Sequence, residues 1–129
     1  MENPTGLLYA RTHEWVSLIG DIATIGITDH AQCELGDIVF LELPAVGKAL
    51  GSGEMLGTVE SVKAVSDLYS PVAGVVIEIN TDAASATEVV NTDPYGAGWL
   101  VRVKLDADGV PADLLDASAY TMLVEESAH

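Results

Sequence analysis

Valine, isoleucine and leucine fall in short blocks punctuated by Gly, Pro, Asn and Asp about every ten residues, the spacing of an all-β sandwich or barrel. The pattern predicts strands over residues 7–11, 14–19, 21–27, 38–43, 55–61, 64–69, 74–80 and 99–105, with a hairpin turn at Gly20-Asp21. Helical signals are fewer. Thr28 is placed to cap a short helix over residues 29–35, and Gly36 to close it in the left-handed conformation. Residues 82–91 have room for another turn of helix. Pro111 suits a first helical position, and Leu115, Ala119, Met122 and Leu123 then follow a 3.6-residue stripe, which predicts a C-terminal helix over about residues 111–126.

One stretch echoes another. Val39-Phe40-Leu41-Glu42-Leu43-Pro44 resembles Val75-Val76-Ile77-Glu78-Ile79-Asn80, 36 residues later. Two such β units packed about a pseudo-two-fold axis would bury faces that neither buries alone.

Length and composition narrow the class. At 129 residues the chain is expected to form one domain over residues 1–129. Nearly half the residues are hydrophobic but only 5% are aromatic, so the core is expected to be aliphatic. Twenty Asp and Glu stand against five Lys and Arg, a formal charge of −15. Nucleic acid and anionic membranes are held by clustered Lys and Arg, and here Arg11, Lys48, Lys63, Arg102 and Lys104 form no run, so neither is an expected partner. The positive mean hydropathy of +0.32 argues against a disordered acidic chain. The opening residues lack a basic, then apolar, secretory pattern, and no 18-residue apolar run exists. A cytoplasmic protein is expected, with the mitochondrial matrix an option only if a transit peptide has been removed. A lone Cys33 cannot make an internal disulfide.

Several candidate chemistries fail on spacing. Cys33 lies beside Glu34 among acidic residues, which opposes thiolate formation, and His30 completes no triad with it. A small thiol enzyme using Cys33 and His30 is therefore a remote alternative. His13, His30 and His129 have no repeated ligand spacing, and each reads as a surface or turn residue. Gly51-Ser52-Gly53-Glu54-Met55-Leu56-Gly57 misses the dinucleotide pattern and has no following Lys-Ser or Lys-Thr; it reads as a turn-rich connection. No spacing singles out an acid–base pair among the many carboxylates, so no catalytic residue is expected.

Lys63 stands apart. Strand-like residues flank it, and the two-residue alternation slips near residues 62–65, as a tight turn there would require. A single amine would then sit at a hairpin tip. On composition alone, a solvated turn lysine is the plainer reading.

The residues around it also carry a resemblance. Glu60-Ser61-Val62-Lys63-Ala64-Val65-Ser66-Asp67-Leu68-Tyr69-Ser70-Pro71-Val72 resembles the lipoyl-attachment motif of the glycine cleavage system H-protein family. The likeness continues in order through His13-Glu14-Trp15-Val16, Gly26-Ile27-Thr28-Asp29-His30-Ala31-Gln32, Leu35-Gly36-Asp37-Ile38-Val39-Phe40, Leu43-Pro44-Ala45-Val46-Gly47, Val90-Asn91-Thr92-Asp93-Pro94-Tyr95-Gly96-Ala97-Gly98-Trp99-Leu100 and Leu115-Asp116-Ala117-Ser118-Ala119-Tyr120. A biotinyl carrier would usually place Met on both sides of the lysine. A lipoyl domain of a 2-oxo-acid dehydrogenase would commonly place Asp before it.

The resemblance implies a mainly β fold, a barrel-sandwich hybrid of two antiparallel sheets with pseudo-two-fold symmetry, short helices and a C-terminal helix. It implies lipoic acid joined by an amide to Lys63, on a hairpin over about residues 55–71. The chain would be a non-catalytic, monomeric carrier, taking the aminomethyl group of glycine from glycine decarboxylase (pyridoxal phosphate) to aminomethyltransferase (tetrahydrofolate) and electrons to dihydrolipoyl dehydrogenase (FAD). A lipoyl relay serving other lipoate-dependent systems is the alternative. Glu14, Asp67 and Thr12 match positions of a cleft that receives the loaded arm; Glu60 and Ser61 match positions recognised by the lipoate-attaching enzyme; Gly74 matches the paired turn across the pseudo-dyad. Cys33-Glu34 and Ala83-Ala84-Ser85-Ala86-Thr87 are less typical of the family.

Overall fold

The computed structural model describes residues 3–127. Among the described residues, nine strands form two antiparallel sheets: β1 (Leu8–Tyr9), β2 (Glu14–Ile19), β3 (Ile22–Ile27), β4 (Ile38–Glu42), β5 (Ala49–Leu50), β6 (Met55–Ser61), β7 (Val65–Tyr69), β8 (Gly74–Ile79) and β9 (Val101–Leu105). The larger sheet has the order β1-β2-β3-β9-β8-β5 and the smaller the order β4-β6-β7. The two echoing segments thus open strands of different sheets, β4 and β8.

Alternation fills the space between the sheets. Ala23, Ile25 and Ile27 of β3, Val101 and Val103 of β9 and Val76 of β8 meet Leu41, Val59 and Leu68 of the smaller sheet in one aliphatic core. Each fully buried Val, Leu or Ile contributes roughly 1.5–3 kcal/mol of transfer free energy before conformational entropy is subtracted. On β6 the buried positions step from Leu56 to Val59, because the register slips between Met55 and Gly57.

The scarce aromatics do not enter this core. Five of the seven gather in a second cluster, where Tyr9, Trp15 and Tyr120 are buried with Tyr95 and Trp99 packed against them. Trp15 lies across the sheet from Gly26, where a Cβ would stand 2.7 Å from the indole ring, so only glycine fits beneath it. Its Nε1 donates to the Pro94 carbonyl oxygen at 3.0 Å.

Helix α1 (Asp29–Leu35) has the expected bounds. Thr28 accepts from the Ala31 amide at 3.2 Å, and Gly36 ends the helix at φ 77°. The expected turn of helix over 82–91 is two short helices, α2 (Thr81–Ser85) and α3 (Glu88–Thr92), and Asn80 caps α2 instead of ending a strand.

The C-terminal helix departs from expectation. α4 spans Ala117–Ser127, starting six residues later than the proline suggested. Asp116 caps it, accepting from the Ala119 amide at 2.8 Å. Leu115 exchanges backbone hydrogen bonds with Tyr9 at 2.7 and 2.8 Å, so it belongs to an isolated bridge and not to the helix. The buried face is consequently Ala117, Tyr120, Leu123 and Val124, while Met122 is 60% exposed. Gly74 opens strand β8, as the hydrophobic pattern predicts and not at the turn the resemblance implied; a Cβ there would stand 2.2 Å from the Lys104 carbonyl oxygen. The short strand β5 was not anticipated, and β1 is two residues long instead of five.

Candidate functional site: a lysine hairpin and a carboxylate-backed cleft

Strands β6 and β7 pair from Met55 opposite Tyr69 to Glu60 opposite Val65, and the turn between them carries Lys63. Ser61 builds that turn. Its amide donates to the Ala64 carbonyl oxygen at 2.8 Å, and its buried hydroxyl accepts from the amides of Lys63 at 3.3 Å and Ala64 at 3.1 Å. The Val62 amide donates to the Asp37 carbonyl oxygen at 3.0 Å. No amide of the tip, from Ser61 to Ala64, is left without an acceptor.

Asp37 is itself held in place. Asn91 on α3 donates to the Gly36 carbonyl oxygen at 2.9 Å and to Gln32 Oε1 at 3.0 Å, and accepts from the Ile38 amide at 3.0 Å. One amide side chain therefore fixes the end of α1 and the start of β4, and through Asp37 the hairpin tip. Asn91 falls in the Val90–Leu100 motif, yet nothing in its local sequence distinguishes it from an ordinary helix residue. Lys63 is exposed; its stem lies along Gly36, with Cε 3.4 Å from where a Cβ would stand.

The second part of the site lies at the other end of β7. Glu14, the first residue of β2, is only 2% exposed. Its carboxylate accepts from the Thr12 hydroxyl and from the Tyr69 amide, the latter at 3.2 Å. Burial pushes its pKa up to about 7, although the hydrogen bonds from Thr12 and the Tyr69 amide oppose the rise. Thr12 and Tyr69 also line a cleft of about 360 Å³ with Arg11, Pro71, Pro111, Asp113 and Leu114; Glu14 itself is not one of its lining residues. The segment expected to begin the C-terminal helix therefore forms a wall of this cleft. From Val65 to Tyr69 the strand runs about 13 Å, which separates the lysine tip from the cleft mouth.

Of the expected cleft residues, Thr12 and Glu14 are brought together. Asp67 stands exposed on β7, two residues before Tyr69, paired with Thr58 across the sheet, and among the described residues its carboxylate makes no ion pair. Glu60 is exposed on β6, whereas Ser61 is buried and its hydroxyl faces the turn.

His13 lies in a turn as expected, and both it and His30, on α1, are half-buried. His13 sits in a turn at φ 75°, an uncommon conformation for a non-glycine residue, and its Nδ1 lies 2.7 Å from the Tyr120 hydroxyl. Its ring is 4.8 Å from that of His30. Burial and then the neighbouring His30 hold His13 below its usual pKa, with Glu34 acting in the opposite direction. His30 lies 3.9 Å from Glu34, and Cys33 is an exposed free thiol. His129 lies outside the described residues. No group of three or more His, Cys, Asp or Glu able to hold a metal occurs among the described residues.

The family model for the glycine cleavage H-protein matches residues 7–127. The chain belongs to the glycine cleavage H-protein family. It is 58% identical over 125 residues to a glycine cleavage system H protein of Rubrobacter xylanophilus, with 97% of each chain covered. It is 54% identical to one from Nitratidesulfovibrio vulgaris over the full length of both. The crystal structure of a glycine cleavage system H protein from Mycobacterium marinum superposes with a TM-score of 0.86 at 39% identity, covering 98% of this chain and 99% of that one. The family is the lipoyl-carrying component of the glycine cleavage system, a carrier and not a catalyst, and its fold is the barrel-sandwich arrangement seen here. Among the described residues no helix is long and apolar enough to cross a membrane.

Proposed function

We propose that Lys63 bears lipoic acid in amide linkage, and that through it the chain carries the aminomethyl group of glycine from glycine decarboxylase to aminomethyltransferase and electrons to dihydrolipoyl dehydrogenase. The observation that supports this most directly is the exposed amine of Lys63 on a turn whose amides are all hydrogen-bonded. A stiff mount with a free lysine stem suits a tethered carrier, because tethering replaces diffusion by a high local concentration. Bound lipoate would supply a dithiolane able to take up a one-carbon amine and a pair of electrons.

The chain's own residues divide the remaining work. Ser61 shapes the tip and Glu60 presents a carboxylate beside it, and both serve recognition by the lipoate-attaching enzyme, Ser61 by holding the geometry. Glu14, Thr12 and Asp67 serve the cleft. A buried carboxylate with a raised pKa gains most from a cationic partner, since the attraction is stronger where water is excluded. The cytoplasm is the compartment this reading favours, and the chain acts as a monomer.

Lys63→Arg tests the assignment. The substitution keeps a cation but removes the acylable amine, so intact-mass measurement should find no lipoyl adduct, and glycine-dependent exchange of labelled carbon dioxide with glycine decarboxylase should vanish. The melting temperature should be unchanged, because the side chain is exposed. A lipoyl adduct persisting in that variant would refute the reading.

A further inference from the structure

The outer face of the smaller sheet is open to solvent at the end that carries Lys63. Strand pairing sets Phe40 opposite Glu60 and Glu60 opposite Val65, one cross-strand row immediately below the turn. A register shift between Ile38 and Phe40 leaves Val39 and Phe40, consecutive residues, 53% and 52% exposed. A bulge of this kind re-aims a side chain that regular pairing would turn inward. Val62 and Val65, on either side of Lys63, are 69% and 65% exposed. Single exposed apolar side chains are ordinary, but four gathered at one end of one sheet mark a contact surface.

Charge frames this patch. The next row pairs Glu42 with Thr58 and Thr58 with Asp67, and both acids are exposed. Glu60 lies within the apolar row, and exposed Asp37 adjoins the tip through its hydrogen bond from Val62. Lys63 is the one basic residue on these strands and their turn. The fitting partner has an apolar centre and a basic rim.

We propose that this face, centred on Phe40 and Val65 with Val39 and Val62 beside them, is the docking surface for the lipoate-attaching enzyme. The proposal rests on the reading of Lys63 as the lipoylated residue. The position of the reacting atom selects this partner. The attaching enzyme forms its bond at the Lys63 amine, which never lies farther than a lysine stem from the hairpin backbone, so that enzyme must cover the tip. Enzymes that work at the far end of a lipoyl arm have no such obligation. The face therefore extends recognition beyond Glu60 to side chains on two neighbouring strands.

The test is steady-state lipoylation of the full chain by a purified lipoate-attaching enzyme with its lipoyl donor, followed by intact mass. Phe40→Thr/Val65→Thr keeps β-compatible residues at both positions and removes the apolar centre. Its KM as acceptor should rise at least about tenfold while kcat stays within about twofold, the pattern of lost docking with unchanged chemistry. Ile19→Thr, at an exposed apolar position of the larger sheet, should leave both constants unchanged. Thermal melting checks that each variant is folded, and Val65→Thr alone carries the same test should the double variant melt early. An unchanged KM in a folded variant, or a loss confined to kcat, overturns the proposal. A wild-type chain that takes up no lipoyl group at Lys63 overturns the underlying reading and the proposal with it, so the two failures are told apart by the wild-type mass alone.

Discussion

Glu14 is costly where it stands. Its carboxyl is held near pKa 7, against 4.5 for the unperturbed group, because burial outweighs the hydrogen bonds from the Thr12 hydroxyl, the Tyr69 amide and its own backbone amide. Between these two values the folded chain binds more protons than the unfolded chain, so stability falls as pH rises through the window from about 4.5 to about 7. Above it the full penalty of ionisation is present, on the order of 3 kcal/mol. Gln at this position keeps an oxygen for the Tyr69 amide but carries no charge. Glu14→Gln should therefore melt close to the wild-type temperature at about pH 4.5, and several degrees above it at about pH 8. Melting curves of both chains across that range check the expectation, and a difference that does not grow with pH would contradict it. The lysine was legible in the sequence because its flanking strand residues and motif mark a turn. The burial of Glu14 was not. Its strand lies between two cores, with Val16 facing the aliphatic one and Trp15 the aromatic one, so Glu14, Trp15 and Val16 are buried in succession and the alternation that would reveal an inward face is lost.

At the scale of elements, helix α4 and the cleft are joined through one hydroxyl. Tyr120 stacks on Tyr9 with ring centroids 4.7 Å apart, and its hydroxyl lies 2.7 Å from His13 Nδ1 and 2.8 Å from Thr28 Oγ1. Burial pushes its pKa up to about 12, so the phenol stays protonated. Thr28 in turn caps α1, and His13 precedes Glu14, so α4, α1 and the start of β2 share a hydrogen-bonded node. Tyr120→Phe preserves the stack and removes only this node. The loss of a partner for buried Thr28 and half-buried His13 should cost about 1–3 kcal/mol, read as a fall of several degrees in melting temperature; an unchanged Tm would show the hydroxyl to be dispensable. The sequence placed α1 correctly because its cap and its terminal glycine are both strong local signals. It misplaced α4 because Pro111 and Leu115 imitate a helix start, whereas Asp116 is the residue whose side chain reaches the Ala119 amide. A local pattern does not reveal that Leu115 pairs with Tyr9, more than a hundred residues away in sequence, nor that two residues, Ala49-Leu50, suffice for an edge strand beside β8.

Over the whole molecule the charge is unevenly placed. Arg102 pairs with Glu78 at 2.8 Å and lies 4.0 Å over the Trp99 ring, and Lys104 lies 3.6 Å from Asp21, so two of the five basic residues are on β9 of the larger sheet. The smaller sheet and its tip carry Glu42, Glu60 and Asp67 with Lys63 as their basic residue, and an amide at Lys63 would remove even that. A formal charge of −15 acts in two opposite ways. Within the chain it is self-repulsion, which weakens the compact state; between the chain and a basic partner it is attraction, which speeds and tightens docking. Raising the salt concentration from about 0.01 M to about 0.15 M shortens the screening length from about 30 Å to about 8 Å and weakens both. The melting temperature of the isolated chain should therefore rise over this range, while its affinity for the lipoate-attaching enzyme, measured by titration in the same buffers, should fall. A charge effect on folding alone would move only the first quantity, and apolar docking alone would leave the second unchanged or strengthen it. Opposite movements are expected if acidic charge both burdens the fold and attracts the partner.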